Sequence, residues 1–239
     1  MNNKIVLVTG ANKGIGLETA RQLARDHGFT VLIGARDEAR GQDAADELKS
    51  AGLDAQFLHI SPTDTASIAD AVREVEARFG ILDVLVNNAG MLLPGDFAPP
   101  AQVSIEVLRE TFDLNVFGMH AVTQAFWPLL NRSSAARLVN MSSSLGSLTL
   151  QASGSQPMQP LAMDASKAAM NMMTIHYAQQ WNETPHKANA AHPGNVLTEG
   201  NSHGEISVQE GARTGITLAT LGEDGPNGGF FHAGEVVPW

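Results

Sequence analysis

The sequence predicts an α/β fold: a doubly wound parallel sheet with helices on both faces, three αβα layers in a single domain spanning residues 1–239. Three observations predict it. Short β-branched runs alternate with stretches of helical periodicity along nearly the whole chain, as strand–crossover–strand units require. The first run ends in a glycine-rich turn that opens directly into a helix. A chain of 239 residues with 43% hydrophobic content suits one well-cored unit.

The elements follow in order. KIVLVTG at residues 4–10 is a buried-strand pattern closed by glycine. From Gly14 to His27, the apolar positions Leu17, Ala20, Leu23 and Ala24 fall at helical spacing. FTVLIGAR (29–36) predicts a second strand, and DEARGQDAADELKSAG (37–52) a helix closed by Gly52. AQFLHI (55–60) and the helix at 64–80 follow, then the strand LDVLVNNAG at 82–90. Residues 104–130 predict one long helix, with Pro128 placed to kink or divide it. ARLVNMSS (136–143) is a fifth strand, residues 162–182 another long helix and KANAAHPG (187–194) a sixth strand. The tail from Gly222 reads as turns and a short edge strand. Residues 146–160, rich in Gly, Ser, Gln and Pro, read as a loop flanking a site rather than a domain boundary, because alternation resumes at once.

Bulk composition narrows the function. The net charge of −10 argues against a general nucleic-acid or anionic-membrane surface. Apolar runs are too short to span a bilayer, and the first residues run into a strand with no basic-then-apolar leader. With no cysteine, disulfides and thiolate chemistry are excluded, which fits a reducing, cytoplasmic setting. The histidines show no metal-ligand spacing.

TGANKGIG at residues 9–16 carries the strongest signal. Gly10 permits a tight turn. Gly14 and Gly16 allow the backbone to approach a pyrophosphate, while the helix start offers free N–H groups and a favourable dipole. Set inside a βαβ unit, the motif predicts a Rossmann-type dinucleotide site. At the end of the second strand an NAD site usually carries a carboxylate; here Ala35 and Arg36 stand there, and Lys13 sits in the loop. Two cations suit a 2′-phosphate, so NADPH (or NADP) is expected over NAD, with Asp37 as a neighbouring complication.

TGANKGIG, LVNNAG (85–90), DLNVFG (113–118), VNMSSSLGS (139–147), ASK ahead of Ala168 and HPGNVLT (192–198) occur in an order that resembles the short-chain dehydrogenase/reductases. ARDEARGQ and the C-terminal segment resemble more narrowly the carbonyl-reductase-like branch, whose members reduce ketones and aldehydes with NADPH. The resemblance implies roles. Asn12, Ile15, Asn88, Ala89 and Gly90 would join the glycines around the nucleotide, with Asn87 stiffening the sheet centre. Asn115 would bend its helix and hold a water beside the lysine. Ser143 would bond the substrate oxygen. Lys167 would bind the nicotinamide ribose and acidify a neighbouring hydroxyl. Pro193, Gly194, Val196 and Thr198 would pack against the nicotinamide, and residues 199–206 would form a short lid. Small-molecule carbonyl or enone substrates are implied, and a monomer or homodimer.

Three positions depart from that pattern. Ser61 stands where an aspartate commonly contacts the adenine, and Asn195 where a bulky aromatic often follows PG. Met163 stands at the tyrosine position, four residues before Lys167. A thioether has no proton to give. Asp164 is adjacent, but successive helix residues point about 100° apart. Tyr177, the only tyrosine, lies fourteen residues on, roughly 21 Å along the helix, and reads as packing. His192 reads as structural. Three functions stay open: an impaired carbonyl reductase, a member repurposed for activated C=C bonds or non-redox cyclisation, and a non-catalytic nucleotide-binding protein.

Overall fold

The computed structural model describes residues 3–156 and 158–239. One eight-stranded sheet runs through it in the order β3-β2-β1-β4-β5-β6-β7-β8. The strands are β1 (Ile5–Thr9), β2 (Thr30–Ala35), β3 (Ala55–His59), β4 (Val84–Asn87), β5 (Arg137–Met141), β6 (Lys187–Ala191), β7 (Phe230–His232) and β8 (Glu235–Val236). All pairings are parallel except β7 with β8, which is antiparallel. The strand order reverses between β1 and β4, and a crevice opens beyond the carboxyl ends of strands at such a point.

The central strands β1, β2, β4 and β5 are buried on both faces, which is why their sequences run apolar without alternation. Val6 and Val8 of β1 face one layer with Leu23, Ile33 and Val86. Leu7 faces the other with Leu85, Leu138 and Phe126. Helices α1 (Gly14–His27), α2 (Glu38–Ser50), α3 (Thr65–Phe79) and α8 (Val208–Ala219) have readable ends. Asp37, Asp64 and Ser207 cap the starts of the last three through their side chains, and left-handed Gly28 and Gly80 close α1 and α3.

The helix expected over 104–130 is divided, though not at Pro128. α4 (Ile105–Phe112) passes into a π-helical turn over Asp113–Gly118, and α5 (Met119–Leu130) follows. Pro128 sits so near the end of α5 that few later turns depend on it. The π turn carries Asn115, fully buried, and so re-aims a polar side chain mid-helix. The loop expected over 146–160 contains a short helix, α6 (Leu148–Ala152), ahead of α7 (Leu161–Gln180); Pro157 lies outside the described residues. Asn87 ties the sheet centre to α5 and, through Asn140, to α7, two helices of the same layer. Its amide donates to Thr123 Oγ1 at 2.8 Å and Asn140 Oδ1 at 2.9 Å, and Asn140 donates to Thr174 Oγ1 at 2.8 Å. Among the described residues no helix is long and apolar enough to cross a membrane.

Candidate active site

The glycine loop is built by close backbone approach. Gly10 and Gly14 adopt φ of 64° and 57°, a region that suits glycine. A Cβ on Gly16 would lie 2.4 Å from Asn88 Nδ2 and 2.6 Å from the Gly10 carbonyl. Thr9 Oγ1 accepts from the Asn88 and Ala89 amides at 3.0 and 3.1 Å. The Asn88 side chain in turn donates to the Thr9 and Gly10 carbonyls at 2.9 and 3.2 Å. Asn88 thus holds the turn from the far side of the glycine loop. At the start of α1, Lys13 makes no side-chain cap, unlike the capped starts of α2, α3 and α8. Its first amides face the cleft ready for an anion.

That cleft holds about 460 Å³ and is lined by Gly10, Asn12, Lys13, Gly14, Ile15, Gly16, Arg36, Ser61, Asn88, Ala89, Gly90 and Thr198. Twelve residues from five separate segments therefore converge on one cleft. The glycine cradle and the uncapped helix start fit a dinucleotide pyrophosphate. Gly16→Val is expected to lower the affinity for NADPH at least 100-fold in an equilibrium titration, because the added carbons meet backbone and Asn88 rather than a yielding side chain.

The ribose corner differs in one respect. Asp37 is engaged as the cap of α2, accepting from the Arg40 amide at 3.0 Å, and Arg36 is exposed with no ion-pair partner among the described residues. Lys13, however, is paired: its ammonium donates to Glu199 Oε2 at 2.8 Å. The corner that lacks a carboxylate in sequence receives one through the fold.

On the reaction side, Lys167 is buried and its Nζ donates to the Met141 carbonyl at 2.7 Å. No carboxylate compensates it, and burial pushes its pKa down to about 8. Asn115 Oδ1 accepts from the Met91 amide at 2.9 Å, and its Nδ2 donates to Met91 O and Ser166 Oγ at 3.1 Å each. Met163 Sδ lies 3.6 Å from the same Nδ2. Gly90 joins the two sides: a Cβ there would lie 3.3 Å from Asn115 Oδ1 and 3.6 Å from Lys167 Nζ. Half-buried Ser143 follows β5, its hydroxyl accepting from the Leu145 amide at 3.2 Å.

Other groups take structural positions. Asp164 Oδ2 accepts from Gln151 Nε2 at 2.7 Å, away from the Met163 thioether. Burial and the neighbouring Asp96 push its carboxyl up to about 7. Asp96, fully buried, accepts from the Ala162 and Met163 amides at 2.7 and 2.8 Å and so caps α7. Tyr177 bonds His120 at 2.6 Å and packs on Trp127. His192 is pushed down to about 4 by burial and His232, so it stays neutral.

Pro193, Gly194 and Val196 lie outside the lining of the cleft. Val196 is buried with its methyls against Gly211 of α8. Thr9, Asp96 and Glu199 were missed in the sequence. Thr9 had a local signal, a hydroxyl just before the glycine turn. Asp96 and Glu199 act on segments 66 and 186 residues away, which no spacing rule reaches.

Comparison with known proteins bears on this arrangement. The family model described as short chain dehydrogenase matches residues 4–205. A short-chain dehydrogenase/reductase, ATR10, of Stachybotrys chlorohalonatus is 38% identical, with 95% of this chain and 87% of that protein covered. A (+)-neomenthol dehydrogenase of Capsicum annuum is 29% identical over 99% and 98%. The crystal structure of an NADPH-bound carbonyl reductase from chicken fatty liver superposes with a TM-score of 0.87 at 28% identity, covering 100% of both chains. With the family model spanning most of its length and its sheet, glycine loop and cleft in the matching order, the chain belongs to the short-chain dehydrogenase/reductase family of oxidoreductases.

Proposed function

We propose that the chain is an NADPH-dependent reductase of ketones or aldehydes in which proton delivery is impaired at position 163. One observation carries the reading: at Gly90 the wall of the nucleotide cleft is so close to Asn115 and the buried ammonium of Lys167 that a Cβ there would meet both. Lys167 is a buried charge without a carboxylate, an arrangement that costs stability and is found chiefly at working sites. The NADPH-bound carbonyl reductase and the neomenthol dehydrogenase among its relatives support the same class of chemistry.

In this reading a nicotinamide coenzyme, when bound, would supply the hydride chemistry. Gly14, Gly16 and the start of α1 would hold its pyrophosphate, and Arg36 would hold the 2′-phosphate. Ser143 donates a hydrogen bond to the carbonyl oxygen. Lys167 holds the ribose hydroxyls and favours negative charge on the oxygen nearby. Met163 leaves that oxygen without a phenol, so its proton comes from water or, more slowly, from Lys167. The surroundings favour an uncharged carbonyl. Residues 142–160 carry no ionisable side chain, and Leu92, Leu148 and Leu197 are exposed around the cleft end of the sheet.

The test is a binding titration with NADPH and NADH, followed by turnover of an uncharged ketone panel. NADPH is expected to bind more tightly. Arg36→Ala is expected to weaken NADPH about tenfold or more, with little effect on NADH, through loss of a charge-assisted bond. Turnover of an enone at its double bond, with none at saturated ketones even in the Met163→Tyr variant, would favour a repurposed enzyme instead.

A further inference from the structure

Lys13 and Glu199 come from opposite walls of the cleft, and both line it. Lys13 stands at the start of α1. Glu199 stands at the tip of a tight turn in which Thr198 and Asn201 exchange backbone bonds at 3.1 Å in each direction. Asn201 fastens that turn from below, its amide donating to Asn195 Oδ1 at 2.8 Å and to the Val196 carbonyl at 3.0 Å. The turn is therefore braced, and its one carboxylate projects onto the ammonium at 2.8 Å. The Lys13 hydrogen bond and charge, with a further contribution from Arg40, hold Glu199 below the usual carboxylate range. It is an anion seated among cations at the corner where a 2′-phosphate would lie.

We infer that Glu199 is an internal stand-in for the 2′-phosphate: it occupies Lys13 in the free protein and must yield when a phosphorylated dinucleotide enters. The inference rests on the NADPH reading above and goes beyond it by naming the residue that opposes phosphate binding. A phosphate monoester carries close to two charges at neutral pH and three acceptor oxygens, so it displaces a single carboxylate from Lys13. The 2′-hydroxyl of NAD has no such claim and leaves the pair closed. Glu199 thus lowers the affinity for NADP⁺ selectively.

Equilibrium titration of NADP⁺ and NAD⁺ into the wild-type chain, Glu199→Gln, Lys13→Met and the double variant tests this without turnover. An exposed ion pair of this kind is worth a small factor. Glu199→Gln is expected to tighten NADP⁺ by about two- to five-fold and leave NAD⁺ within the error of the titration. Lys13→Met is expected to weaken NADP⁺ and to shrink the gain from Glu199→Gln in the double variant. Equal tightening of both nucleotides, or weaker NADP⁺ binding in Glu199→Gln, would overturn the inference. A wild-type preference for NAD⁺ would overturn the NADPH reading itself. A preference for NADP⁺ that Glu199→Gln leaves unmoved would overturn only the role of Glu199.

Discussion

Met163→Tyr is expected to raise the rate of ketone reduction by about 10²–10⁴, the range over which a positioned general acid contributes. That corresponds to roughly 3–5 kcal/mol of barrier. The supporting groups stand in place. Asn115 Nδ2 lies 3.6 Å from the thioether and Lys167 is one turn further along α7. The backbone at 162 and 163 is pinned by Asp96. A phenol introduced there meets an ammonium that favours its ionised form. The neighbouring carboxyl at Asp164 does not substitute, because it is directed to Gln151. The measurement is single-turnover oxidation of bound NADPH with an uncharged ketone. A variant no faster than the wild type would remove position 163 from the chemistry.

Lys167→Met is expected to stabilise the folded chain while removing function. Burial lowers the ammonium from 10.5 to about 8, a penalty of about 3 kcal/mol when the side chain is charged. Deleting it also orphans the Met141 carbonyl, which offsets about 1 kcal/mol. The net gain at pH 7 is about 2 kcal/mol, or roughly 4–8 °C in Tm for a chain of this size. The pH dependence has a definite sign. The folded pKa is the lower one, so the unfolded chain binds more protons between about 8 and 10.5, and the penalty is fully present below about 8. The wild type therefore regains stability as pH rises through that window, and the advantage of Lys167→Met shrinks there. In a Met163→Tyr background, Lys167→Met is expected to reverse most of the gain in ketone reduction. Thermal melts of the wild type and Lys167→Met at pH 7 and pH 10 check the stability claim. A less stable variant at pH 7 would contradict it.

Much of this was legible in the sequence because it is encoded locally. Strands buried on both faces betray themselves as apolar runs, and Gly10, Gly14 and Gly16 mark a turn that other residues cannot make. The resemblance supplied the reaction-side positions, and the fold brings Asn115 and Lys167 against Gly90. What escaped depended on three-dimensional assembly. The π turn at 113–118 leaves no periodic trace strong enough to separate it from one long helix. The resemblance places Val196 beside the nicotinamide, whereas the fold buries its methyls against Gly211 of α8, a contact no local pattern shows. Glu199 was invisible as a partner of Lys13 because the contact spans 186 residues. There the fold adds a charge opposite to the expectation.

Central to the proposed function is a dinucleotide site that remains whole while the acid beside it is missing. Calorimetric titration of the wild-type chain with NADPH, followed in the same sample by addition of an uncharged ketone, tests both halves. The expected result is one coenzyme bound per chain, with oxidation far slower than in Met163→Tyr under identical conditions. Absence of coenzyme binding, or wild-type oxidation as fast as that of the tyrosine variant, would contradict it.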